Sequence, residues 1–301
     1  MNLPDPRHLH KDFCPGSLAW VKRFLHDQQI YPSRKLGQNF LADSGVIGRI
    51  VAASGLGPKD VCLEIGPGLG SLTSALAITA RRVVSVEIDY RLADAMRQMF
   101  ASNPVVSVVE ADFLKWDLAG FFAELESPVR VVANIPYSIT TPIVEKLFQH
   151  KSQIINITLL VQKEVAARLV AKPGSSDYSS LSLFTAYHSE CVSQFQVNRR
   201  VFYPVPDVDS TVVTLHLKPS PLDAAAEQIF FRLLRAAFGQ RRKVLPNAIS
   251  AGMHLERDLI SGVLEGQGIS LKARGEELSL EQFMALATAL QAVLPEERST
   301  L

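Results

Sequence analysis

The sequence predicts an α/β protein, with a doubly wound, Rossmann-like parallel sheet followed by a small all-helical domain. Apolar runs of strand length alternate with helical patterns, which implies right-handed crossovers between parallel strands. A glycine-rich turn, Gly66-Pro67-Gly68-Leu69-Gly70, follows the first long run. Beyond Pro219-Ser220-Pro221 the alternation stops and only helical patterns remain.

Seven apolar runs are predicted as strands, because short apolar runs are typical of strands buried in a parallel sheet. They are Val61–Ile65, Val83–Glu87, Val105–Glu110, Val129–Ala133, Ile154–Val161, Cys191–Val197 and Thr211–Leu217. The last two lie close in sequence, which makes them candidates for an antiparallel pair.

Helices are predicted between the strands and after them. Those between the strands begin near Asp43, Ser71, Tyr90, Asp117 and Thr140. A short amphipathic helix is predicted before the sheet, over Ser17 to about Gln28, and helical patterns at 223–239, 243–251, 256–266 and 279–293 follow the sheet. We therefore divide the chain into an N-terminal extension (1–32), a sheet domain (33–219) and a helical domain (220–301).

Composition narrows the class of protein. The chain has 301 residues, enough for two domains, and no apolar run approaches the ~20 residues of a membrane span. Its three cysteines, Cys14, Cys62 and Cys191, form no CxxC pair, which fits a reducing cytoplasm. No spacing of His, Cys and Asp indicates a metal site. We expect a cytoplasmic, metal-free protein without a membrane anchor, with a monomer as the default.

Basic residues are clustered, although the net charge is only +1. The largest group is Arg232, Arg235, Arg241, Arg242 and Lys243, with no acidic residue among residues 232–243. A second group consists of Lys22, Arg23, Arg34 and Lys35, and a third of Arg199 and Arg200. Such groups can be the solvated face of a helix, but three of them in one chain are candidates for phosphate contacts if the substrate is a nucleic acid.

The glycine-rich turn predicts a ligand site at the carboxyl ends of the strands. Gly66 and Gly68 allow a ligand to approach the backbone closely. Glu87 ends the second strand, where a carboxylate can hold both hydroxyls of a ribose. Asp112 follows the third strand and can accept a hydrogen bond from an adenine amine, while Phe113 can pack on the adenine face.

Asn134-Ile135-Pro136-Tyr137 follows the strand predicted at Val129–Ala133 and suits chemistry on an exocyclic amine. The lone pair of such an amine is delocalised, so the amine reacts only when acceptors hold both protons. The side-chain oxygen of Asn134 and the carbonyl of Ile135 are two such acceptors. Pro136 fixes the backbone, and stacking of a base on Tyr137 is worth roughly 1–3 kcal/mol. The alternative is an ordinary strand-to-helix turn. With the glycine turn, the tetrapeptide favours a nucleobase amine methyltransferase.

A dinucleotide-binding dehydrogenase is the rival interpretation of the glycine turn. Its fingerprint is G-x-G-x-x-G, whereas here the spacing is G-x-G-x-G and position 71 is Ser. Glu64, just before the turn, is more typical of methyltransferases. Asp112 and the Asn-Ile-Pro-Tyr loop have no role in hydride transfer.

Several motifs together resemble the bacterial small-subunit rRNA adenine dimethyltransferases (the KsgA family) and the related Erm enzymes. The resemblance runs from about Arg34 to Leu290. It is carried by the glycine turn, the Asn-Ile-Pro-Tyr loop and four further motifs, Lys35–Leu41, Phe202–Ser210, Phe238–Asn247 and Arg274–Ser279.

The resemblance implies a class I methyltransferase fold that binds S-adenosylmethionine. Asn39 and Leu41 would line the cofactor pocket with Gly66, Gly68, Glu87, Asp112 and Asn134. Phe202 would face the target base from the side opposite Tyr137. The helical domain, with Arg241, Arg242 and Lys243, would recognise structured RNA.

The implied substrate is a pair of adjacent adenosines in a hairpin near the 3′ end of 16S rRNA, within the small (30S) ribosomal subunit. Each N6 amine would be dimethylated during subunit biogenesis. Two alternatives stay open: an Erm-type 23S rRNA methyltransferase, and a non-catalytic assembly or transcription factor on the same fold.

Overall fold

The protein was analysed as a computed structural model, which describes residues 16–136, 139–240 and 242–294. The chain forms two compact units. The first comprises residues up to Ala166 together with Val192–Leu217, and the second Ala167–Cys191 together with the residues from Lys218 onward. The predicted domain 33–219 therefore differs from the first unit over residues 167–191. That segment belongs to the second unit because Tyr178, Leu183 and Tyr187 lie in its hydrophobic core.

The first unit is built on a seven-stranded sheet, which confirms the predicted α/β class. The described residues form nine strands, which are β1 (Phe40–Leu41), β2 (Val61–Ile65), β3 (Arg82–Glu87), β4 (Val106–Glu110), β5 (Val129–Asn134), β6 (Ile154–Gln162), β7 (Ser189–Val197), β8 (Phe202–Tyr203) and β9 (Ser210–Leu217). Seven of them make this sheet, and β1 and β8 pair as a separate two-stranded sheet. The sheet order is β4-β3-β2-β5-β6-β9-β7. Strands β4 to β6 in that order pair parallel, and β9 pairs antiparallel with β6. The order reverses between β2 and β5, and such a switch point is where ligands bind in open α/β sheets.

Most helices begin where the sequence predicts. They are α1 (Leu18–Asp27), α2 (Ser44–Ser54), α3 (Ser71–Thr79), α4 (Tyr90–Met99), α5 (Leu118–Ala123), α6 (Thr140–Phe148), α7 (Lys163–Val170), α8 (Ser180–His188), α9 (Ala224–Gly239), α10 (Leu245–Met253), α11 (Arg257–Gly266) and α12 (Leu280–Val293). Ser17, Asp43, Asp89 and Asp117 cap the first turns of their helices by accepting a backbone N–H. Helices α7 and α8 were not predicted.

The second unit has its own core, in which α9 packs against α10 and α12. The rings of Tyr187 and Phe230 stack with centroids 4.6 Å apart, and the Tyr178 hydroxyl donates to the Leu278 carbonyl at 2.8 Å. Helix α9 ends at Gly239, as predicted, but α10 begins at Leu245 rather than at residue 243. Arg242 and Lys243 are therefore exposed in the turn between the two helices and not on a helix. Arg241 lies outside the described residues.

No helix in the described part of the chain is long and apolar enough to cross a membrane. Within the same residues, no group of His, Cys, Asp and Glu side chains is arranged to hold a metal ion.

Candidate active site

A pocket lies at the carboxyl ends of β2, β3 and β5, within the first unit. The structure brings together in its lining all the residues that the sequence assigned to the cofactor: Asn39, Leu41, Gly66, Gly68, Glu87, Asp112 and Asn134. Ile135, Pro136 and Phe113 line the same pocket. Tyr137 lies outside the described residues.

The glycine turn lines one side of the pocket. Gly66 and Gly68 both have positive φ, 65° and 59°, which favours glycine over any residue with a side chain. A Cβ atom at Gly68 would also lie 3.0 Å from Cδ1 of Phe40. Phe40 therefore packs against one side of this turn, and the other side of the turn's backbone, which carries no side chain at Gly66 and Gly68, lines the pocket.

Glu87 is held in a single orientation by two backbone donors. Its Oε2 accepts from the Gly68 N–H at 3.1 Å and its Oε1 from the Asp89 N–H at 2.9 Å. Burial raises the pKa of the Glu87 carboxyl, and these two hydrogen bonds oppose the rise. Each oxygen retains a lone pair, so the carboxylate can accept from the two hydroxyls of a ribose.

Asp112 begins a tight turn after β4. Its Oδ1 accepts from the Leu114 N–H at 3.0 Å, while its Oδ2 lies 3.8 Å from the Nζ of Lys115. Phe113 is buried beside it and lines the pocket. This arrangement suits an adenine, with the carboxylate as acceptor for the amine and the ring as an apolar wall.

The Asn134 side chain is oriented by the backbone of the segment that contains Asn39. Its Nδ2 donates to the Asn39 carbonyl at 3.2 Å, which leaves Oδ1 as an acceptor with no donor among the described residues. Pro136 is close to the same segment, because a Cβ atom at Gly37 would lie 3.3 Å from the Pro136 Cβ. The Asn134–Pro136 loop and the 37–41 segment therefore pack against each other.

Glu64 is a pocket residue to which the sequence assigned no chemical role. Its Oε2 accepts from the hydroxyls of Thr73 at 2.6 Å and Ser85 at 2.7 Å. Its Oε1 is buried and has no hydrogen-bond partner among the described residues, and burial raises the pKa of this carboxyl to about 7. A buried acceptor without a donor, beside a second carboxylate at Glu87, suits a cationic ligand. The lining residues therefore fit S-adenosylmethionine, which is a cation with a ribose and an adenine.

The structure contradicts the expected position of Phe202. This side chain is 0% exposed, does not line the pocket, and packs in the core with Leu41, Ile50 and Val212. The reason is that β8 pairs with β1, with Phe202 opposite Leu41. In this structure Phe202 therefore offers no exposed ring face on which a base could stack.

Comparisons with known proteins agree with the geometry. A family model described as ribosomal RNA adenine dimethylase matches residues 32–291. The chain is 42% identical over 264 residues to "Ribosomal RNA small subunit methyltransferase A" of Bacillus cytotoxicus, which covers 85% of this chain and 90% of that protein. The same-named protein of Bacillus anthracis gives the same figures.

Two solved structures are similar to the chain. A dimethyladenosine transferase from Plasmodium falciparum has a TM-score of 0.69 at 27% identity, covering 80% of this chain and 94% of that one. The 23S rRNA methyltransferase ErmE has a TM-score of 0.64 at 32% identity, covering 84% of this chain and 99% of that one.

Proposed function

Because this chain belongs to the ribosomal RNA adenine dimethylase family, we propose that it acts on two adjacent adenosines in a hairpin near the 3′ end of 16S rRNA. Membership makes the protein an rRNA methyltransferase that uses S-adenosylmethionine. The proposal adds the target: two methyl groups on each N6 amine, placed within a small ribosomal subunit during its biogenesis.

The fixed orientation of Asn134 is the observation that carries the proposed chemistry on an adenine amine. Because its Nδ2 donates to the Asn39 carbonyl, its Oδ1 is the atom that can accept a hydrogen bond from the target amine. The Ile135 carbonyl, held by the following Pro136, is the second acceptor. When both amine protons are held, the nitrogen lone pair turns toward the methyl donor. The bound cofactor supplies that activated methyl group.

The chain's own contribution is therefore orientation, without a strong general base. The adenosine must leave its stack to reach the pocket, at a cost of a few kcal/mol. Stacking on Tyr137 offsets part of this cost. After the first transfer one amine proton remains, so one acceptor contact is lost and the N-methyl group must rotate aside before the second transfer.

An Erm-type 23S rRNA methyltransferase is the second candidate. The similarity to ErmE supports the shared fold and chemistry. The higher identity, over almost the full length, to proteins named for the small subunit favours 16S rRNA. The third candidate, a non-catalytic factor, has less support because the full acceptor and cofactor sets line one pocket.

Substrate and residue roles can be tested with one set of reactions. The purified protein, S-adenosylmethionine and undermethylated small subunits should give dimethyladenosine in 16S rRNA, identified by mass spectrometry of the digested RNA. Tyr137→Ala should lower the rate strongly while cofactor affinity stays unchanged, and Asn134→Ala, at a residue that also lines the cofactor pocket, should lower the rate more than it lowers cofactor affinity. Methylation of 23S rRNA instead would support the Erm alternative, and cofactor binding without transfer to either RNA would support the non-catalytic one.

The ribosomal context is a further part of the proposal. Three basic residues on a small domain cannot select one hairpin by charge alone, so we expect specificity to come from the shape of a partly assembled small subunit. Methylation of the undermethylated 30S particle should be fast and that of the isolated hairpin slow. Equal rates on the 30S particle and on the isolated hairpin would contradict the assembly requirement. We expect the protein to be a cytoplasmic monomer.

A further inference from the structure

Lys146, on helix α6, donates to three backbone carbonyls of the loop that follows β4. Its Nζ lies 2.8 Å from the oxygen of Phe113, 3.1 Å from that of Leu114 and 2.5 Å from that of Trp116. An ammonium group has three donors, so this loop uses all of them. Lys146 is only partly exposed, and burial lowers the pKa of its ammonium group while the negative charges of Asp112 and Asp117 oppose that change.

The same loop directs its N–H groups toward Asp112. The Leu114 N–H donates to Asp112 Oδ1 at 3.0 Å, and the N–H groups of Lys115 and Trp116 donate to the Asp112 carbonyl at 2.9 and 2.8 Å. The turn is thus held by two residues: Asp112 accepts hydrogen bonds from the backbone N–H groups of the turn, and Lys146 donates to the backbone carbonyls of the turn. Removing the ammonium group would leave three carbonyls without their common donor, and the turn that orients Asp112 would relax.

Helix α6 also begins at Thr140, shortly after the pocket residues Asn134–Pro136. Lys146 therefore connects the loop with Asp112 and Phe113, which lines the pocket, to the helix that follows the pocket residues Asn134 and Pro136.

We propose that Lys146 is a positioning residue that holds Asp112 and Phe113 against the adenine ring of the cofactor. It thereby sets the preference of the pocket for a purine with a 6-amino group. This inference rests on the proposed function, because it takes the cofactor's adenine to lie against Asp112.

The test compares two ligands that differ at that group and at the neighbouring N1, which carries a proton only in the inosyl ligand. S-Adenosylhomocysteine has a 6-amino group that donates to the Asp112 carboxylate, whereas S-inosylhomocysteine has a carbonyl there. Calorimetry on the wild-type protein should show that the adenosyl ligand binds at least about tenfold more tightly, the value of one charge-assisted hydrogen bond. Lys146→Met should lose most of this preference, chiefly through weaker binding of the adenosyl ligand.

Lys115→Met is the matched control. Lys115 also carries its charge close to Asp112, but its side chain is 85% exposed, its Nζ donates to none of the described loop carbonyls and the residue is outside the pocket lining. If the ammonium charge alone tuned Asp112, both variants would change the preference. We expect the Lys115→Met protein to keep the wild-type ratio.

Three further measurements separate positioning from general damage. Lys146→Arg, which keeps a charged donor, should restore part of the preference. In the background of Asp112→Ala, which removes the acceptor, Lys146→Met should cause no additional loss of preference. Thermal unfolding checks that the variants fold, and if Lys146→Met does not, the Arg variant and the wild-type ligand ratio still report on the loop.

The outcomes separate this inference from the proposed function. A wild-type protein that binds both ligands equally removes Asp112 from the adenine site, and with it that part of the proposed function. A clear wild-type preference that Lys146→Met leaves unchanged, or equal losses for both ligands, would overturn the positioning role alone.

Discussion

Replacing the buried Glu64 should change how the stability of the protein depends on pH. Burial raises the pKa of this carboxyl from its ordinary 4.5 to about 7. In the unfolded chain the group ionises at its ordinary pKa, so between these two values the folded state binds more protons. Stability therefore falls as pH rises through this window, is unaffected below it and carries the full cost above it.

The structure gives the size of this effect. Each pH unit between the two pKa values is worth about 1.4 kcal/mol, so ionisation of Glu64 costs the folded protein about 3 kcal/mol. Glu64→Gln keeps the shape and cannot ionise. We expect the free energy of unfolding of the wild-type protein to fall, relative to that of the Gln variant, by more than about 2 kcal/mol between pH 5 and pH 8.

Urea unfolding followed by tryptophan fluorescence is the assay. The chain has two tryptophans, Trp20 and Trp116, and both lie in the first unit, which also contains Glu64. Glu124→Gln, which removes an exposed carboxylate of the same unit, controls for the change in net charge. If the stability difference between wild type and Glu64→Gln were the same at both pH values, the carboxyl would not be a buried acid that ionises at a cost.

Three further changes test other parts of the molecule. Glu87→Ala should lose about 1.5–3 kcal/mol of cofactor binding, measured by calorimetry, with RNA affinity unchanged; an unaltered cofactor affinity would remove Glu87 from the site. Phe202→Ala should lower the free energy of unfolding by about 3–5 kcal/mol, because it empties a buried core position, and a slowed reaction at unchanged stability would restore its role as a base platform. Changing Arg241, Arg242 and Lys243 together to Gln should weaken RNA binding and flatten its salt dependence by up to about 0.7–0.9 log units per lost contact, whereas an unchanged slope would mean that these residues only face solvent.

The sequence predicted the sheet well because its strands depend on local, buried apolar runs. It missed α8, where Ser180–His188 is buried on most faces and so lacks an amphipathic period. What fixes that helix is packing within the second unit, such as the stacking of Tyr187 on Phe230. The pairing of β1 with β8 joins segments distant in sequence and only two residues long, so no periodicity reveals it.

The site was predictable where a residue's role follows from its place at a strand end, as for Glu87, Asp112 and Asn134. It was not predictable where the role depends on partners distant in sequence. The hydrogen bonding of Glu64 is unusual because Thr73 and Ser85 both donate to one of its oxygens, while the other oxygen has no donor among the described residues.

The short segment 37–41 shows how these parts become one site. The Asn39 carbonyl fixes Asn134, the residue that would hold the target amine, at 3.2 Å. The next residue, Phe40, fills the space that a side chain at Gly68 would need, on the turn that would hold the cofactor. A shift of this segment would therefore move the acceptor for the substrate and the floor of the cofactor pocket together.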